Sequence, residues 1–197
     1  MLKAPVRVSF SAHPVRPHVT RRPPFCMQYI IREKDTPLSR GLMIEDRRGH
    51  CVYRVHGPVV RARDELHVDD VHGVEQAYIK EPILGDGRRF EIYRDRALRA
   101  QVITVGLGNL LDGFDIVVLD DDGESLQARG DMFGREFTIA SHAGARVLAR
   151  VHRHDGHSMR VDIDTGITPD QVLLLAAVSA IWAMTEAWVR VSARTQA

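Results

Sequence analysis

The segment from Val172 to Met184, VLLLAAVSAIWAM, holds thirteen residues with Ser179 as its one polar side chain. A helix built from it is apolar on every side, so it must be buried either in lipid or in protein. Thr168, Pro169 and Gln171 read as its start: an N-cap, a first helical position and a capping-box spacing. The fifteen residues between Asp170 and Glu186 span about 22 Å as a helix, against a hydrocarbon layer roughly 30 Å thick. The flanking charges make no strong positive-inside pattern. Ala176, Ser179, Ala180 and Ala183 form a small-residue stripe that lets helices approach in membranes, but it equally lets sheet backbone pass close. Length favours a helix in a protein core.

The rest of the chain supplies a wrapping for it. Short alternating strands recur in pairs: LMIEDRRGHCVYRVHG, ELHVDDVHGVEQAYIKEP, FEIYRDRALRAQVITVG, FDIVVLDDDGESLQARGD and EFTIASHAGARVLARVHR, with an incomplete sixth unit at MRVDIDTG. Ile44, Val68, Ile92, Ile116, Ile139 and Val161 stand 22 to 24 residues apart, a spacing that suits hairpins. Within each strand the apolar residues alternate with polar ones, as Leu66 and Val68 do with Glu65, His67 and Asp69. Such a sheet covers something on one face and meets water on the other. Gly49, Gly73 and Gly123 lie between strands, where positive backbone angles are wanted. Ten or so such strands are expected to close, because closure removes exposed edges.

Residues 1–26 are rich in proline and carry five basic residues and no acid. They read as a disordered tail, with Met27 as an alternative true start. Of the chain's 27 basic residues this leaves 22 against 26 acids, a net charge of −4 for the remainder. That balance argues against a broad nucleic-acid surface. The 24 Arg to 3 Lys skew reads as coding bias. Cys26 and Cys51 make no metal-like spacing, and a reduced pair in a cytoplasmic protein is the expectation. No secretory signal is recognisable.

YIIREK (29–34), EIYRD (91–95), GDMFGREFTI (130–139) and the late VDI before the apolar helix resemble the LURP-one-related family. That family belongs to the tubby C-terminal-like superfamily, together with the phospholipid scramblases. The resemblance runs from about Met27 to Met184. It implies a mainly β fold with one long helix, a closed antiparallel barrel of about twelve strands around a buried C-terminal hydrophobic helix. It supplies no catalytic residues. The phosphoinositide-binding motif of tubby proteins finds no match here, and the calcium-linked and cysteine-rich features of scramblases are missing.

Several constellations have ordinary readings. His152, His154 and His157 in HRHDGH suggest zinc or nickel, yet Val147, Ala149 and Val151 put the first two on an outer strand face before an Asp-Gly turn. LDDDG (119–123) lacks the EF-hand's alternating ligands and its glutamate, since position 129 is Arg129. VGLGNLLDG (105–113) has the wrong glycine spacing and no βαβ context for a dinucleotide. No serine or cysteine stands in a nucleophile motif. Arg47, Arg48, Arg61, Arg63, Arg88 and Arg89 fall at or near turns, and arginines converging at one barrel end would bind phosphate or carboxylate. Asp46, Asp64 and Asp86 would dilute that site.

The expectation is therefore a tail (1–26), one barrel domain (27–190) and a short C-terminal tail (191–197). The function expected is that of a monomeric, soluble, non-enzymatic binding module without cofactor or metal. Its partner would be an anionic lipid headgroup or a protein, in the cytoplasm or peripherally at a membrane, with no transmembrane segment and no nucleic acid. The alternatives are a scramblase-like lipid-moving protein whose helix inserts, and a metal-dependent enzyme using the histidine cluster.

Overall fold

The computed structural model describes residues 26–36, 39–57, 65–82, 89–105, 113–119, 125–142, 146–155, 157–164 and 170–195. The Pro-rich tail up to position 25 lies outside them. Among the described residues twelve strands precede one helix. The strands are β1 (Cys26–Thr36), β2 (Ser39–Asp46), β3 (Cys51–His56), β4 (Glu65–Asp70), β5 (Glu75–Lys80) and β6 (Arg89–Arg94). They continue with β7 (Ala97–Thr104), β8 (Phe114–Val118), β9 (Leu126–Asp131), β10 (Glu136–Ser141), β11 (Val147–Asp155) and β12 (Ser158–Asp164), before α1 (Gln171–Thr195). Each strand pairs antiparallel with its sequence neighbours, and β1 closes the barrel against β12.

The repeat seen in the sequence is a structural repeat. All six anchors, Ile44, Val68, Ile92, Ile116, Ile139 and Val161, are buried and sit on the even-numbered strands. In four hairpins the ladder shifts directly after the anchor, leaving Val52, Gln76, Arg99 and Leu148 as extra residues on the following strand. Such bulges increase local twist and bend the strand, which a sheet that must curl around a helix requires.

The helix is the core. Leu174, Leu175, Ala176, Ala177, Val178, Ser179, Ala180 and Ile181 are all at most 1 % exposed. Burial on every side of two full turns is what the apolar run demands. The backbone of α1 comes nearest to β5, β6 and β7, where the inward residues include the small Ala77 and Ala100. The buried hydroxyls of the helix are satisfied locally: Ser179 donates to the Leu175 carbonyl at 2.8 Å, and Thr185 to that of Trp182 at 2.8 Å. No helix among the described residues is long and apolar enough to cross a membrane.

Two details differ from expectation. The helix begins at Gln171 and is capped by Asp170, whose carboxylate accepts from the Val172 amide at 2.8 Å. A carboxylate at the positive end of the helix is a favourable cap; Thr168 and Pro169 lie outside the described residues. The helix also runs on to Thr195, past the expected domain boundary at 190. Its start is pinned to the barrel by an Arg94–Asp170 ion pair and by the Tyr29 hydroxyl, which donates to Gln171 at 2.8 Å.

Candidate functional site

Along the described helix the interior is filled by side chains. A cleft beside Arg135, Trp182 and Thr185 has about 10 Å³, room for roughly one water. The strand order fixes two rims. The tips of β2–β3, β4–β5 and β6–β7 share the rim where α1 begins, and the turn between β9 and β10 stands at the opposite rim, where α1 leaves.

The first rim carries two hairpins of the same design. In one, the Asp46 carboxylate accepts from the Arg48 and His50 amides at 2.8 and 2.9 Å. In the next, Asp70 does the same for His72 and Val74, also at 2.8 and 2.9 Å. Each turn closes with a glycine in the left-handed region, Gly49 at φ 81° and Gly73 at φ 79°, where a Cβ would strain. The amide of His50 first, then that of Arg48, holds the Asp46 carboxyl below the usual aspartate range; the amides of Val74 and His72 act likewise on Asp70. β3 pairs with β4, so the two tips stand side by side. One presents Arg47 and Arg48, both exposed. The other presents Val71 and Val74, 44 % and 56 % exposed. The adjoining two-residue turn adds Asp95 and Arg96, both at positive φ.

Of the arginines singled out in the sequence, three are described, and they divide between the two rims. Arg47 and Arg48 occupy this rim, while Arg89 opens β6 and so stands at the opposite one. The up-and-down order enforces the split, because the β2–β3 tip and the start of β6 lie at opposite ends. Arg89 leans toward Glu91 at 4.0 Å. Arg61, Arg63 and Arg88 lie outside the described residues, as do Asp64 and Asp86.

The histidines of HRHDGH are spread out. His152 faces Asp162 at 3.9 Å and His157 faces Glu33 at 3.7 Å. No group of three or more metal-ligating side chains occurs among the described residues. Cys51 is a free thiol. Asp120 to Gly123 and the glycines of GLG at 106–108 lie outside the described residues.

Two arrangements escaped the sequence reading. On the outer face, four rings form a row across neighbouring strands in direct register: His56, His67, Tyr78 and Tyr93. Their centroids are 5.6, 4.9 and 6.1 Å apart, and the Lys80 ammonium caps Tyr93 at 4.7 Å. Asp69 and Glu75 hold the two imidazoles at 2.7 Å each. Hydrogen bonding to the Tyr93 phenol raises the Lys80 pKa above its usual value, and nearby Glu91 adds to the effect. Burial raises that of Tyr78. Alternation announced these positions as outward, but the register that aligns them depends on the bulged residues, which no local pattern marks.

The second arrangement lies in GDMFGREFTI. Its Asp131 accepts from the Gly134 amide at 2.7 Å, and Met132 and Phe137 are buried. Arg135, at φ 61°, reaches over the helix exit to Trp182, Glu33 and Glu186. The motif is a collar at the second rim.

No curated protein sequence matches the chain. Among solved structures it is similar to an X-ray structure of a protein from Arabidopsis thaliana, at 17 % identity and a TM-score of 0.61. That match covers 82 % of this chain and 92 % of the other, and it shows a shared fold. The sequence model of the LURP-one-related family matches residues 27–181, and the chain belongs to that family.

Proposed function

We propose that the protein is a non-enzymatic module that binds anionic lipid headgroups through the rim carrying the two matched hairpins. The observation behind this reading is the pairing of Arg47 and Arg48 on one tip with exposed Val71 and Val74 on the next. A membrane interface rewards that pairing, because apolar tips enter the headgroup boundary while guanidinium groups engage phosphates. The apolar run from Val172 to Trp182 adds nothing to membrane contact in this arrangement, since it is enclosed. Asp46 and Asp70 sit at the bases of the tips with their oxygens turned to backbone amides, and they moderate the charge.

Sedimentation with vesicles of phosphatidylserine and phosphatidylcholine tests the proposal. The full chain should pellet with the anionic vesicles and stay in solution with pure phosphatidylcholine. Equal recovery from both, or from neither, would overturn it.

A further inference from the structure

The row of rings on the outer face ends at a gap. His56 is paired in register with Gly41 on β2, and Gly41 with Lys34 on β1. The row therefore runs Lys34, Gly41, His56, His67, Tyr78, Tyr93, and every member has a side chain except one. A Cβ at Gly41 would lie 2.7 Å from the Val55 carbonyl oxygen, so close approach of the β2 and β3 backbones keeps the gap open. With strands about 4.8 Å apart, the residues on either side of Gly41 are separated by roughly 9.6 Å. That is two steps of the existing ladder, room for one more ring. One face of His56 stacks on His67 at an interplanar angle of 17°, and its side chain is still 51 % exposed against 34 % for His67. The uncovered face looks onto the gap.

The surroundings carry charge. Lys34 and Arg54 are exposed, and neither has an ion-pair partner among the described residues. Arg32, the next cation, is occupied by Glu45 and Asp155 at 3.2 Å each. Asp69 stands opposite Arg54 in register, but its carboxylate is engaged by His56 at 2.7 Å. Two free cations beside a one-ring slot match a flat ring that carries a dianion.

We propose that this slot binds a nucleoside monophosphate, its base stacked on His56 over Gly41 and its phosphate held by Lys34 and Arg54. Base stacking on an aromatic face supplies about 1–3 kcal/mol in nucleic-acid sites, and the phosphate adds charge-assisted hydrogen bonds. The alternative explanation of Gly41, backbone crowding alone, predicts no ligand. The slot lies on the barrel wall, apart from the hairpin rim, so its failure leaves the lipid reading untouched.

The test is a titration of the full chain with adenosine monophosphate, followed at the His56 ring protons by NMR. A saturable upfield movement is expected, with adenosine alone and inorganic phosphate alone each binding more weakly. Lys34→Gln, at an exposed position, should weaken the nucleotide about twofold to fivefold and leave adenosine unchanged. A His56 signal unmoved by millimolar nucleotide overturns the proposal. So does inorganic phosphate binding as well as the nucleotide, which would reveal a plain anion patch.

Discussion

The Arg135 guanidinium lies 4.1 Å from the ring centre of Trp182 and bridges Glu33 on β1 and Glu186 on α1, at 3.1 and 3.2 Å. One side chain from the β9–β10 turn thus ties the first strand to the plug. It does so from a left-handed backbone position, φ 61°, that non-glycine residues seldom adopt. Arg135→Ala should lower stability by about 2 kcal/mol, from the lost stacking and from two carboxylates left facing each other. Arg135→Lys keeps the charge but not the planar fork, and should fall between the two. Urea denaturation checks both; an alanine variant as stable as the parent would show the clasp to be inert.

The interior location of α1 gives substitutions there a diagnostic sign. Leu175→Ala, at a position 0 % exposed, should cost about 2–5 kcal/mol through the cavity it leaves. Ala176→Leu, equally enclosed, should cost about 1–3 kcal/mol by overpacking. In a lipid-facing helix the second change would be harmless. Thermal melts of the two variants separate these cases.

Asp46 and Asp70 have carboxyl pKa values below the ordinary range because backbone amides solvate the charged form. A lowered folded-state pKa contributes stability above the unfolded value of about 3.9, and that contribution disappears as pH falls through the folded value. Asp46→Ala and Asp70→Ala should therefore be less stable than the parent at neutral pH, with the gap narrowing in acid. A gap independent of pH would mean that the turns hold without their carboxylates.

At the hairpin rim, Arg47→Gln with Arg48→Gln should weaken vesicle binding roughly 30-fold, at about 1 kcal/mol per cation near an anionic surface. Val71→Asp with Val74→Asp should abolish it, because charged tips stay out of the interface. Raising the salt should mimic the first pair and leave the apolar contribution. Parental affinity in either double variant would move the binding surface elsewhere.

Much of this architecture was legible in the residues. The anchor spacing announced hairpins, alternation gave a sheet with one dry face, and the all-apolar run from Val172 supplied the filling. The first two are local patterns with one physical meaning, and the third was decided between lipid and protein by its length. The site was less legible because it depends on register. Arg47 and Arg89 look alike in sequence, both beside turns, yet the alternating chain direction sends them to opposite rims. Gln76 slips the β4–β5 ladder by one residue, and only with that slip does His67 face Tyr78; Val52 does the same for Gly41 and His56 in the β2–β3 ladder. Asp170 caps the helix where Thr168 offered an equally good pattern, and no rule of spacing distinguishes the two.

The chain order puts the plug after all twelve staves. A ribosome releases the ribbon first and its apolar lining waits, uncovered, until residues beyond Gln171 emerge. Only then can the seam between β1 and β12 shut around something solid. A chain cut before Gln171 would keep that apolar lining and lose its filling, and should aggregate rather than give a smaller folded product.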